Sequence, residues 1–218
     1  MTSAATIDVS DMFAVHRALR DTLEAAPRLV GDVPAGDAAR RELVANFYAN
    51  VIAFLEVHHH GEEELVFPLL RERRPDDVDL VERIAAQHRD VDRLTAESVA
   101  LLERWQSGEE GERTACGAAL RALGERLVEH LDDEERLLLP LCAASLSEAE
   151  WGALPGHALG TFEGDKVWLI LGLIRQRMTQ EQRDHMLANM PPPAVEMWTG
   201  FGERSFVELM GELGPLTA

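Results

Sequence analysis

Apolar residues recur at three- and four-residue spacings along nearly the whole chain, and the strict alternation of strands is almost absent. The pattern predicts an all-α protein. Breaks rich in Gly, Pro and Asp fall at GDVPAGD (31–37), Arg74-Pro75-Asp76 and Ser107-Gly108. They delimit four long helices: about 10–26, ended by Pro27; about 38–73; about 76–106, capped by an Asp; and about 109–144. Glu109, Glu110 and Glu112 fall in the first turn of the last, where the helix dipole favours acids. Short loops between long amphipathic helices predict an up-down-up-down four-helix bundle over 8–144.

A second helical region, 145–218, follows. Ser147-x-x-Glu150 and Thr179-x-x-Gln182 read as capping boxes, and helices are expected at about 147–154, 163–178, 180–189 and 194–212. Pro191-Pro192-Pro193 imposes an extended break. With Trp151, Trp168, Trp198 and the run VWLILGLI, this region reads as a cap on the bundle, with a homodimer interface or a lid as the sharper alternatives.

The apolar stripes carry polar residues that a core does not ordinarily hold. His58 and Glu62 share a face with Val44, Phe47, Val51, Leu55, Leu65 and Leu69, and His130 and Glu134 share one with Leu120, Leu123, Leu127, Leu137 and Leu141. Val81 and Val99 align with His88, and Val9 and Leu23 with His16. Each His-x3-Glu places imidazole and carboxylate one turn apart on the same face, and in each the His precedes by ten residues a proline that ends the helix. In a hairpin, residues equidistant from the turn lie at equal depth. The midpoint of His58/Glu62 and His88 falls near 74, at the Pro75 turn; that of His88 and His130/Glu134 falls near 110, at the Gly108 break. The midpoint of His16 and His58, near 37, falls at the end of its loop rather than the centre.

An isolated core histidine is ordinarily a hydrogen-bonded packing residue, but four at one depth with two carboxylates are costly to bury without a metal. The donors suit iron, manganese or zinc, iron fitting best. Cys116 and Cys142 stand apart from the set, which excludes thiolate zinc and iron–sulfur sites, and neither C-x-x-C-H nor H-E-x-x-H is present. Two six-coordinate irons take about twelve bonds, more than four His and two bridging Glu supply, so positions remain for water, O2, NO or peroxide. Asp92, four residues after His88, is placed as a further ligand or as an acceptor for an imidazole N–H, and Arg20, four after His16, as a partner for a site carboxylate. His59 and His60 rotate about 100° and 200° away from His58, toward the flank and the surface, and Glu63 and Glu64 are expected in solvent.

Charge narrows the partners. A net charge of −18 argues against nucleic acid and against anionic membrane surfaces. The longest apolar run, 167–174, is too short to span a bilayer, the first residues carry no secretory pattern, and two cysteines make no disulfide framework, so a cytoplasmic protein is expected.

At these residues the chain resembles the hemerythrin-like family of HHE cation-binding domains. The motif elements are His16, His58/Glu62 with Pro68, Gln87-His88, and His130/Glu134 with Pro140. The resemblance covers about 8–144 and implies a bundle holding an oxo- or hydroxo-bridged di-iron centre, with Glu62 and Glu134 as bridging carboxylates. The oxygen carriers of that family place a second His four residues from the first on helix three, whereas this chain has Ile84 and Asp92. It is nearer to bacterial members with six ligands, which implies binding of or response to O2, NO or peroxide. The alternatives are an oxidoreductase consuming peroxide or NO, and an iron reservoir or donor. Acid–base groups beside the metal would favour turnover, and only Asp92 and Arg20 are candidates.

Overall fold

The computed structural model describes residues 6–108 and 111–217, and among these the chain is helical with no strand. Glu109 and Glu110 lie outside the described residues; Glu112 does open its helix. Four long stretches dominate. They are α1 (Ser10–Gly31); α2 (Ala38–Gly61), continued by α3 (Phe67–Arg73); α4 (Val78–Gln106); and α5 (Glu112–Asp133), continued by α6 (Leu139–Ser145). α1 packs on α2 and α5, and α4 packs on the same two, so the stretches touch round a closed ring.

Two apolar clusters fill the interior. One gathers Leu19, Leu23, Phe47, Tyr48, Leu55, Val91, Leu120 and Leu127. The other gathers Met12, Val66, Phe67, Leu70, Ile84, Leu138 and Cys142. Along each stretch the bulk of the two clusters lies on opposite sides of a buried histidine, and their order reverses from one stretch to the next.

Several helix boundaries differ from the sequence expectation. α1 does not stop at Pro27 but runs on to Gly31. Proline inside a helix removes one hydrogen bond and crowds the carbonyl four residues back. The added turn buries Leu29 and Val30, and that packing offsets the local cost. Pro68 and Pro140 do not end their helices either. Each follows a π-helical turn, Glu62–Val66 or Glu134–Leu138, and so occupies the first turn of a restarted helix, where proline is tolerated.

The same turns shift the register. Beyond them the buried positions are Val66 and Leu70, not Leu65 and Leu69, and Leu138 and Cys142, not Leu137 and Leu141. One extra residue in the turn moves the stripe along by one.

The C-terminal region holds α7 (Glu148–Trp151), α8 (Ala153–Thr161), α9 (Val167–Arg175), α10 (Gln180–Asn189), α11 (Pro192–Met197) and, after a π turn at Trp198–Gly202, α12 (Glu203–Leu213). Both capping boxes form. The three prolines are not all extended: Pro191 caps α11 and Pro192 starts it. α9 packs on α1 and α2, and Leu169, Leu173, Trp198 and Phe206 join the first apolar cluster. Buried Asn50 of α2 anchors the entry to α9, donating to Asp165 and accepting from the Lys166 amide. Among the described residues no helix is long and apolar enough to cross a membrane.

Candidate metal centre

His16, His88, His130 and Glu134 have no solvent exposure, and His58 and Glu62 are buried. The structure brings all six together. Glu62 turns Oε1 toward His58 Nε2 at 3.8 Å and Oε2 toward His88 Nε2 at 3.5 Å. Glu134 Oε2 lies 3.6 Å from His16 Nε2 and 3.4 Å from His130 Nε2. Each carboxylate thus faces imidazoles from two different helices. Both glutamates begin a π turn, a device that re-aims side chains at functional sites.

The inward-facing atoms lack partners. The Nε2 atoms of His16, His58, His88 and His130, Glu62 Oε2 and both oxygens of Glu134 are buried without a hydrogen bond. Such groups cost about 1–3 kcal/mol each when left unmade, and more when charged. A set of imidazole and carboxylate donors converging on one volume fits a metal cation, which would satisfy all of them.

The outer edges of the rings are held. His16 Nδ1 meets Glu135 Oε1 at 3.0 Å, His88 Nδ1 meets Glu63 Oε1 at 3.1 Å, and His130 Nδ1 meets Gln87 Oε1 at 3.3 Å. With Nδ1–H donating outward, the Nε2 lone pair points into the cluster. Gln87 is itself braced by donating to Asp133. Arg20 does not reach a cluster carboxylate. It pairs with Glu135 at 3.1 Å and Asp132 at 2.9 Å, bracing the acceptor of His16.

Electrostatics suit donors that must lose protons to bind metal. Burial, reinforced by His16, holds His58 down to about 3, and burial, opposed by Glu134 and helped by His88, holds His130 at about 4. Burial and then the neighbouring Glu134 carboxylate push Glu62 well above the usual carboxylate range. A cation between the two carboxylates would relieve that repulsion.

Two expectations are corrected. His59 is not on an open flank off the site but 3% exposed, stacked on His88 at 4.0 Å and edge-on to His130 at 5.0 Å. Glu63 is partly exposed but bound to His88 rather than simply solvated. Asp92, expected as a ligand or as an acceptor for an imidazole N–H, lies outside the six-residue cluster with a 56% exposed side chain, 3.7 Å from His59 Nδ1. His60 is exposed as expected, and with Glu64 and His157 it forms a separate outer group. The sequence signal for Glu63 and Glu135 was present: each directly follows an inward glutamate, in EEEL and EERL.

The donors fall into two sets, His16, His58, Glu62 and Glu134 in one and His59, His88 and His130 in the other, each able to hold a metal ion. A family model described as the Hemerythrin HHE cation binding domain matches residues 8–142, well over half of the chain. No curated protein and no solved structure matches.

Proposed function

The chain belongs to the hemerythrin HHE cation-binding family, and on that premise we propose that it is a non-haem di-iron protein that binds or responds to O2, NO or peroxide. His16, His58, Glu62, His88, His130 and Glu134 hold the two ions in an up-down-up-down bundle over 8–144, with 145–218 as a cap. The reversal of the two apolar clusters from stretch to stretch supports that arrangement. The observation that carries the reading is the convergence of buried, unpartnered imidazole and carboxylate atoms from four helices.

When bound, a pair of irons supplies open coordination positions and one-electron steps to a small oxidant. The residues of this chain do the rest. Glu62 and Glu134, each facing imidazoles of two helices, would help hold the pair, and Glu63, Glu135 and Gln87 fix ring orientation. Phe67, against His88 at 5.2 Å, and the two apolar clusters exclude water. The free, buried Cys116 and Cys142 accord with a reducing, cytoplasmic setting.

The test is elemental analysis of anaerobically purified protein, with optical spectra before and after O2, NO and peroxide. About two irons per chain and a lasting spectral change on adding one of these ligands are expected. Catalytic loss of peroxide or NO would favour the oxidoreductase reading instead, and one equivalent of zinc without iron would overturn the di-iron reading.

A further inference from the structure

We propose that His59 is a seventh metal donor, giving one of the two metal positions a third imidazole, and that Asp92 is its positioning residue. The proposal rests on the dinuclear reading above. One ring nitrogen from each of His59, His88 and His130 lies within 4.8 Å of the others. The carboxylates reach this set too, since Glu62 Oε2 faces His88 and Glu134 Oε2 faces His130. The His59 set is therefore continuous with the main cluster.

His59 is poorly explained as packing. Both of its ring nitrogens are buried and neither has a hydrogen-bond partner. A Phe would fill the same space against His88 without leaving two polar atoms unpaired. A metal ion satisfies one nitrogen, and Asp92 is placed to satisfy the other. Nδ1 lies 3.7 Å from Asp92 Oδ1, just beyond hydrogen-bond reach. Drawing the ring and carboxylate together fixes Nδ1–H and leaves Nε2 free for the metal, as Glu135 does for His16 and Glu63 for His88.

The surroundings agree. His59 and Asp92 line a surface cleft of about 330 Å³ together with Glu56, His60, Glu63 and Ala96. Three carboxylates at its walls make the cleft attractive to cations, so it also offers a path by which a metal reaches His59. Helix α4 has Ile84 and Asp92 one turn either side of His88, and the additional imidazole comes instead from α2. The two metal positions become unequal, with three imidazoles on one and two on the other.

Anaerobic 57Fe(II) titration against a competing chelator, read by metal content and Mössbauer spectra, tests this on the full chain. The wild type is expected to hold two irons in two resolved quadrupole doublets of equal area. His59→Phe keeps the stacking volume and removes the donors, so it is expected to fold without the cavity that His59→Ala would leave. It should weaken one iron by about tenfold or more and change one doublet only. His60→Ala should match the wild type. Asp92→Asn, which keeps an acceptor, should hold both irons, whereas Asp92→Ala should weaken the same iron that His59→Phe does. A wild-type iron pair left intact in affinity and spectrum by His59→Phe overturns this proposal alone. A wild type with no iron pair overturns the dinuclear reading as well.

Discussion

Glu135 Oε1 lies 3.0 Å from His16 Nδ1, so a residue next to one inward carboxylate orients an imidazole on a different helix. Glu63, next to Glu62, does the same for His88. The two Glu-Glu pairs tie the stretches together in twos: α2 to α4 through Glu63, and α5 to α1 through Glu135. Losing that acceptor is expected to cost about 10- to 100-fold in metal affinity. Glu135→Ala and Glu63→Ala should show it in chelator competition, while Glu135→Gln, which still accepts, should stay near the wild type. Arg20→Ala should have a smaller effect than Glu135→Ala, because Arg20 touches Glu135, Asp132 and the Val128 carbonyl and reaches His16 only through Glu135.

Removing an inward carboxylate should be more severe. Glu62→Ala and Glu134→Ala each take away a group that faces two imidazoles. Metal content is expected to fall from about two to one or fewer per chain, with helicity by circular dichroism retained. His60→Ala, on an exposed side chain, should keep both ions. Equal losses in all three variants would remove the distinction between inward and outer residues.

The metal-free protein should lose stability as pH falls. His58 and His130 are held at about 3 and 4 when folded, against an ordinary 6.5, and burial lowers His59 as well. Below pH 6.5 the unfolded chain takes up protons that the folded chain refuses, so their contribution is complete above 6.5 and shrinks toward pH 4. Glu62 works in the opposite sense: its raised value favours the folded state at low pH, and that benefit is lost as pH rises. Asp11, Glu56 and Asp92, raised mainly by burial, act in the same sense as Glu62, and Glu134, lowered by His16 against the effect of burial, acts with the histidines. The three histidines, whose ordinary value lies inside the interval, set the direction. Thermal melts of chelated protein should therefore show Tm falling between pH 7 and 4.5. A Tm that rises over that interval would contradict the burial of neutral imidazoles.

The cap can be disturbed without touching the metal donors. A Cβ on Gly172 would stand 2.2 Å from the Phe206 ring, closer than atoms pack. Gly172→Ala should cost about 1–3 kcal/mol through overpacking, and so lower Tm by roughly 2–12 °C for a chain of this size. Iron content should stay at the wild-type value. Loss of iron together with Tm would mean that seating of α9 and α12 controls the centre.

The helical stretches, the main breaks between them and the common face of the six inward donors were legible along the chain. Those depend on local geometry: residues four apart on a helix share a face whatever surrounds them, and short turns set equal depth in neighbouring helices. Tertiary structure decided the rest. The π turns at Glu62 and Glu134 answer to packing and to the prolines beyond them, and they moved the buried positions from Leu65 to Val66 and from Leu137 to Leu138. Pro27 stayed helical because Leu29 and Val30 found a core to enter. His59 sits about 100° round the helix from His58. Whether such a flank meets water or a neighbour is not a property of its own helix. Here α4 brings His88 over it at 4.0 Å, and a contact between residues far apart in sequence turns a flanking histidine into a buried one.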